Sequence, residues 1–100
     1  MDKVCNTTGV TGATTGTVIM AKACTLQGVF FTPGATSDSV TLYDNASAAS
    51  GTILYIAKAV VTTAGVLQTI PAYLPNLECK NGIYAVVVSP GGAALTQIYT

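Results

Sequence analysis

The sequence predicts an all-β fold, an antiparallel β-sandwich or small barrel with a jelly-roll-like topology among the arrangements it allows, and three observations carry that expectation. Apolar and β-branched residues gather in short runs of about four to eight. Gly, Pro, Asn and Asp punctuate those runs at spacings of roughly ten residues. No segment carries the apolar period of a packed helix, so parallel strands joined by helical crossovers have no candidates. At 100 residues the chain has the size of one domain, because compact domains cluster at roughly 100–150 residues. The expected division is a Thr/Gly-rich N-terminal arm over 1–16 and a single sandwich domain over 17–100.

The elements follow in chain order. Asn6–Thr17 reads NTTGVTGATTGT and lacks periodic apolar residues, which predicts an extended arm or a loose edge strand. From Thr17 to Thr32 the β-branched and aromatic density rises, predicting one long bent strand or two short ones, with a bulge or turn at Gln27-Gly28. Thr32–Ser39 is dense in turn formers, and Pro33-Gly34 suits the centre of a type II turn. Val40–Tyr43 alternates as a strand with one buried face. Asp44–Gly51 is a small-residue connection in which three alanines and two serines allow one helical turn. Thr52–Val61 is the strongest strand candidate, and Val66–Ile70 offers a shorter one beyond the break at Thr62–Gly65. Pro71 and Pro75 predict a stiff crossing loop over Pro71–Asn76. Asn81-Gly82 is the best type I′ hairpin signal and leads into a strand over Ile83–Ser89. After a turn at Pro90-Gly91-Gly92, Ala93–Tyr99 closes the chain as a strand with Thr96 and Ile98 on one face and Leu95, Gln97 and Tyr99 on the other.

Two of these strands are apolar on both faces. Leu54 and Ile56 alternate with Ile53 and Tyr55, and Val86 and Val88 alternate with Ile83, Ala85 and Val87. A sandwich strand normally turns one face to water, so Leu54, Ile56, Val86 and Val88 are the expected interaction residues, covered by a partner such as a neighbouring subunit. Composition points the same way. Half the residues are hydrophobic, only 8% are charged and the formal net charge is zero, which leaves little repulsion to keep copies apart.

The same composition excludes other roles. Lys3, Lys22, Lys58 and Lys80 stand far apart, whereas a nucleic-acid surface needs clustered cations. The long uncharged stretches are broken by Pro71, Pro75, Pro90, Gly91 and Gly92, so no membrane span is expected. The opening residues have no basic region followed by an apolar core, so no secretory signal is visible. There is no histidine, which removes the commonest general base and metal ligand and every His-dependent triad. Cys5, Cys24 and Cys79 make an odd count without CxxC spacing and read as reduced, core-filling thiols, or as one link between neighbours through Cys5 or Cys79. Asp38 and Asp44 are turn residues first and a carboxylate pair or calcium site with Asn45 only second. Lys58 reads as a solvated side chain. Gly9, Gly12 and Gly16 lack a phosphate-cradle spacing, and Asn6-Thr7-Thr8 is a short sequon match without secretory context. The seven aromatics are scattered over the strands, where packing explains them. No catalytic, cofactor-binding or metal residues are expected.

Two segments resemble a known family. Leu42–Thr52, LYDNASAASGT, is similar to a stretch recurring in small structural proteins of tailed bacteriophages, and Glu78–Ala85, ECKNGIYA, resembles the polar turn and strand near the end of such chains. Together they cover about a fifth of the sequence. The resemblance implies a non-enzymatic virion protein with a β-sandwich fold: a capsid decoration or cement protein on the head surface, assembled in the host cytoplasm, often as a trimer, with the major capsid protein or another virion protein as partner. A tail, neck or fibre-associated virion protein is the alternative it leaves. From a different class, a carbohydrate- or cell-surface-binding β-sandwich module remains, because fold does not fix function.

Overall fold

The computed structural model describes residues 7–11, 14–60, 65, 67–89 and 94–100. Its strands are β1 (Thr7–Thr11), β2 (Thr14–Met20), β3 (Cys24–Thr32), β4 (Ser39–Tyr43), β5 (Ile53–Lys58), β6 (Ile70–Cys79), β7 (Ile83–Val88) and β8 (Leu95–Tyr99). They form two four-stranded antiparallel sheets, β1-β8-β3-β6 and β2-β7-β4-β5. Successive strands alternate between the sheets except at β4–β5, which makes the double-sheet strand order of a jelly roll. The inner faces meet in one core. Leu26, Val29, Phe31, Cys79 and Ile98 come from the first sheet, and Val40, Leu42, Ala57, Ile83, Ala85 and Val87 from the second.

Local chemistry explains the strand breaks. The run from Thr17 to Thr32 divides at Ala21–Ala23 into β2 and β3, which enter different sheets. At the N-terminus, Thr7–Thr11 lies as an edge strand against β8, and position 16 falls inside β2. Cys5, Asn6 of the sequon, Gly12, Thr62–Ala64, Val66 and Pro90–Gly92 lie outside the described residues. Beyond them, Leu67 makes a lone bridge and Ile70 opens β6, in place of a short strand over Val66–Ile70.

Three turn expectations are overturned. Pro71–Asn76 is no loop but the middle of β6. It is tolerated because β6 is an edge strand, where a missing N–H removes a ladder bond only on the paired side. Between the pairs Leu26↔Leu77 and Gly28↔Tyr73, three residues of β6 oppose Gln27 alone, and this irregularity takes up Pro75 and Asn76, the latter with φ 56°. Asn81-Gly82 is no hairpin, because β6 pairs with β3 while β7 belongs to the other sheet. A type I′ turn needs positive φ at both centres, and only Gly82 has it. The corner is held instead by the Asp44 carboxylate, which accepts the N–H groups of Lys80 (3.1 Å), Asn81 (2.8 Å) and Gly82 (3.4 Å). Pro33-Gly34 is no type II turn, since Gly34 lacks positive φ. There the buried Asp38 carboxylate accepts Gly34 N–H (2.7 Å) and Ala35 N–H (3.0 Å).

The two aspartates thus brace two crossings between sheets from opposite ends of β4. At roughly 3.3 Å per residue they stand about 20 Å apart along the strand, too far to pair or share a cation. The one hairpin among the described strands joins β4 to β5. Its connection is not a helical turn. Asn45 Oδ1 accepts from Ser47 and Ala48 N–H, its Nδ2 donates to Ser50, and Asp44 N–H donates to the Thr52 carbonyl.

Candidate interaction face

The outer face of the β2-β7-β4-β5 sheet is built by register. Residues directly opposite in an antiparallel ladder share a face. Tyr84 lies between Val18 of β2 and Tyr43 of β4, with Ile53 of β5 beyond. Thr41 lies between Val86 and Ile56, and Ser39 between Val88 and Lys58. The partners on the other face, Val40, Leu42, Ala85 and Val87, are fully buried. On the outer face Val18, Ile53, Ile56 and Val88 are each 45–50% exposed. Lys58, at one corner, is the only charge among the described residues of these rows. A side chain at Gly16 would run into the Tyr84 ring, so glycine there lets that ring lie across β2.

This arrangement brings together three of the four residues expected from the sequence, Ile56, Val86 and Val88. It separates the fourth. The register slips between Leu42↔Tyr55 and Tyr43↔Ile53, so Leu54 is an extra residue, and it packs against the core. The bulge turns Ile53 outward in its place, while Tyr55 points inward, where burial pushes its phenol up from the ordinary value. Strict alternation cannot reveal a bulge. Val18, Tyr43 and Tyr84 escaped sequence reasoning as members of the face, although the period-2 run Tyr84, Val86, Val88 was a legible signal.

The opposite outer face is aromatic. Across the first sheet Tyr73, Gly28 and Tyr99 lie abreast, and Phe30 follows Gly28 on the same side beside Pro71 and Gln97. The Phe30 and Tyr99 rings sit 5.5 Å apart at 58°, an edge-biased packing typical of aromatic pairs. Tyr73 is 85% exposed. The scatter of aromatics along the chain gave no hint that three would converge, because strands distant in sequence supply them.

No family model, curated protein or solved structure matches this chain. Chemistry is sparse among the described residues. No three His, Cys, Asp or Glu side chains come together to hold a metal ion. No helix is long and apolar enough to cross a membrane. The Asp44 carboxyl is held below its ordinary value by the N–H groups of Asn81, Lys80 and Gly82 against the opposing effect of burial. Those bonds are structural, since all three donors belong to the corner it braces.

Proposed function

We propose that this protein is a non-enzymatic virion structural protein, most consistent with a capsid decoration or cement protein that binds the head surface as a homo-oligomer, trimer favoured. The observation that carries the reading is the outer face made by Val18, Ile53, Ile56, Tyr84, Val86 and Val88, nearly free of charge, with Val18, Ile53, Ile56 and Val88 half-exposed and Tyr84 and Val86 half-buried between them. Burying a whole Val or Ile side chain stabilises by roughly 1.5–3 kcal/mol, so the four half-exposed ones are worth about 4 kcal/mol per copy. Association costs at least about 4 kcal/mol in lost freedom. One face against an inert surface therefore barely holds, whereas two such faces, or many copies bound to a lattice, hold well. That arithmetic suits a part whose contacts sum over a shell. The jelly-roll order is shared by viral capsid domains, but also by lectins, and so supports the reading only at the level of fold.

The test is quantitative mass spectrometry of virus particles purified from cells that produce this chain. A cement protein is present in about hundreds of copies and a tail, neck or fibre part in about tens, by closed symmetric assembly. Absence from the particles refutes both.

A second reading, a carbohydrate- or cell-surface-binding module, is favoured by Tyr73, Tyr99 and Phe30 on the other outer face, where the exposed Tyr73 ring beside the half-buried Phe30–Tyr99 pair presents a surface for stacking. A glycan array with hits abolished by Tyr73→Ala would establish it, and a blank array would dismiss it.

A further inference from the structure

The register sets Cys24, the first residue of β3, directly opposite Cys79, the last residue of β6. Opposed residues in an antiparallel ladder have Cα atoms about 4.5 or 5.5 Å apart and side chains on the same face. Both separations lie inside the span of about 4.4–6.8 Å that a disulfide bridges. Cys24 and Cys79 are free thiols within hydrogen-bonding reach of each other. Cys79 is fully buried, its S–H also directed at the Leu77 carbonyl at 3.6 Å, whereas Cys24 is only half-buried. Sequence reasoning found neither as a pair, since 55 positions separate them and the third cysteine made the count odd.

We infer that Cys24 and Cys79 form a cross-strand dithiol that closes to a disulfide on exposure to a small-molecule disulfide oxidant. The half-exposed Cys24 thiolate attacks the oxidant RSSR, forming Cys24–S–SR and releasing one RSH. The Cys79 sulfur then displaces the second RSH, leaving the Cys24–Cys79 bond; the two protein thiols are oxidised by two electrons and RSSR is reduced to two RSH. Burial pushes the Cys79 thiol up to about 12 and also raises Cys24, so the pair resists casual oxidation at neutral pH and reacts faster in base. The closed bond ties the start of β3 to the end of β6, one residue before the corner braced by Asp44. A loop of about 55 residues closed in this way raises the ratio of folded to unfolded molecules roughly a thousandfold by chain entropy. The pairing is set by the chain's own register and so holds whether or not the protein belongs to a virion.

The test treats the folded wild-type protein with oxidised glutathione at about pH 8.5, the ordinary thiol value, followed by intact mass and non-reducing peptide mapping. The expected product has lost two hydrogens, contains a Cys24–Cys79 cross-linked peptide, and unfolds at higher urea concentration until a reductant is added. The Cys5→Ser variant should give the same cross-link. Retained glutathione adducts on Cys24, a link through Cys5, or no reaction in the folded state while the urea-unfolded chain reacts would each overturn the pairing.

Discussion

Replacing Asp44 with alanine removes the acceptor for three backbone N–H groups, those of Lys80, Asn81 and Gly82. The residue is half-exposed, so the freed donors regain water, and each bond counts for less than the roughly 1.5–3 kcal/mol of a well-shielded charged one. Taking about 1 kcal/mol for the 2.8 Å bond to Asn81 and half that for each of the two longer bonds gives a loss of about 2 kcal/mol. Asp44→Asn keeps a neutral acceptor and should lose about half as much. The loss has a pH signature. The N–H donors, Asn81 first, hold the folded carboxyl below its ordinary value of 3.8. A depressed folded value contributes stability that is fully present above the unfolded value and fades as pH falls through the folded one. Urea unfolding at pH 7 should therefore show the midpoint of Asp44→Asn lowered with an unchanged slope, and the gap to wild type should close in acid, as pH falls below the ordinary 3.8 and through the lowered folded value. A gap of equal size at pH 7 and in acid would mean that the carboxylate charge does not hold the corner, and no loss at pH 7 in Asp44→Ala would mean that the corner does not depend on Asp44.

Two further substitutions probe the same corner and the crossing braced by Asp38. Gly82 has φ +145°, and a side chain there would collide with the Met20 carbonyl, so Gly82→Ala should destabilise by about 3 kcal/mol, read as a shift in thermal midpoint. Asp38→Ala leaves the N–H groups of Gly34 and Ala35 without their acceptor beneath a buried site, and a loss of about 2–3 kcal/mol is expected in the same assay.

Much of the fold was legible because it rests on patterns that sequence displays directly. Alternation located β4 and β8 and a run of β-branched residues located β7; on β8 alternation separated Thr96 and Ile98 from Leu95, Gln97 and Tyr99 without saying which face is inside, and the structure buries Thr96 and Ile98. What failed were the connections. Asn81-Gly82 has the residues of a tight hairpin, and Pro33-Gly34 those of a type II turn. In each case a distant or neighbouring carboxylate, Asp44 or Asp38, stabilises a different backbone path that leads to the other sheet. Turn propensity is local, and it yields when long-range pairing decides where the next strand goes. Pro71 and Pro75 misled for a related reason. Their cost depends on whether a strand is central or at an edge, which only the strand order reveals. On the interaction face, composition identified Ile56, Val86 and Val88, while the bulge at Leu54 exchanged one expected residue for its neighbour Ile53. The Cys24–Cys79 pairing was invisible for want of any local signal linking the two positions.

The central claim is that the outer face of the β2-β7-β4-β5 sheet is an assembly surface. Size-exclusion chromatography with light scattering, in reducing buffer across a concentration series, compares wild type with Val86→Lys and Ile56→Lys. Both side chains point outward and contribute little to the core, so folding, followed by circular dichroism, should be retained. The expected result is a wild-type oligomer, a trimer in the favoured case, that either lysine returns to monomer. A wild-type monomer at every concentration, or an oligomer indifferent to both lysines, would contradict the claim.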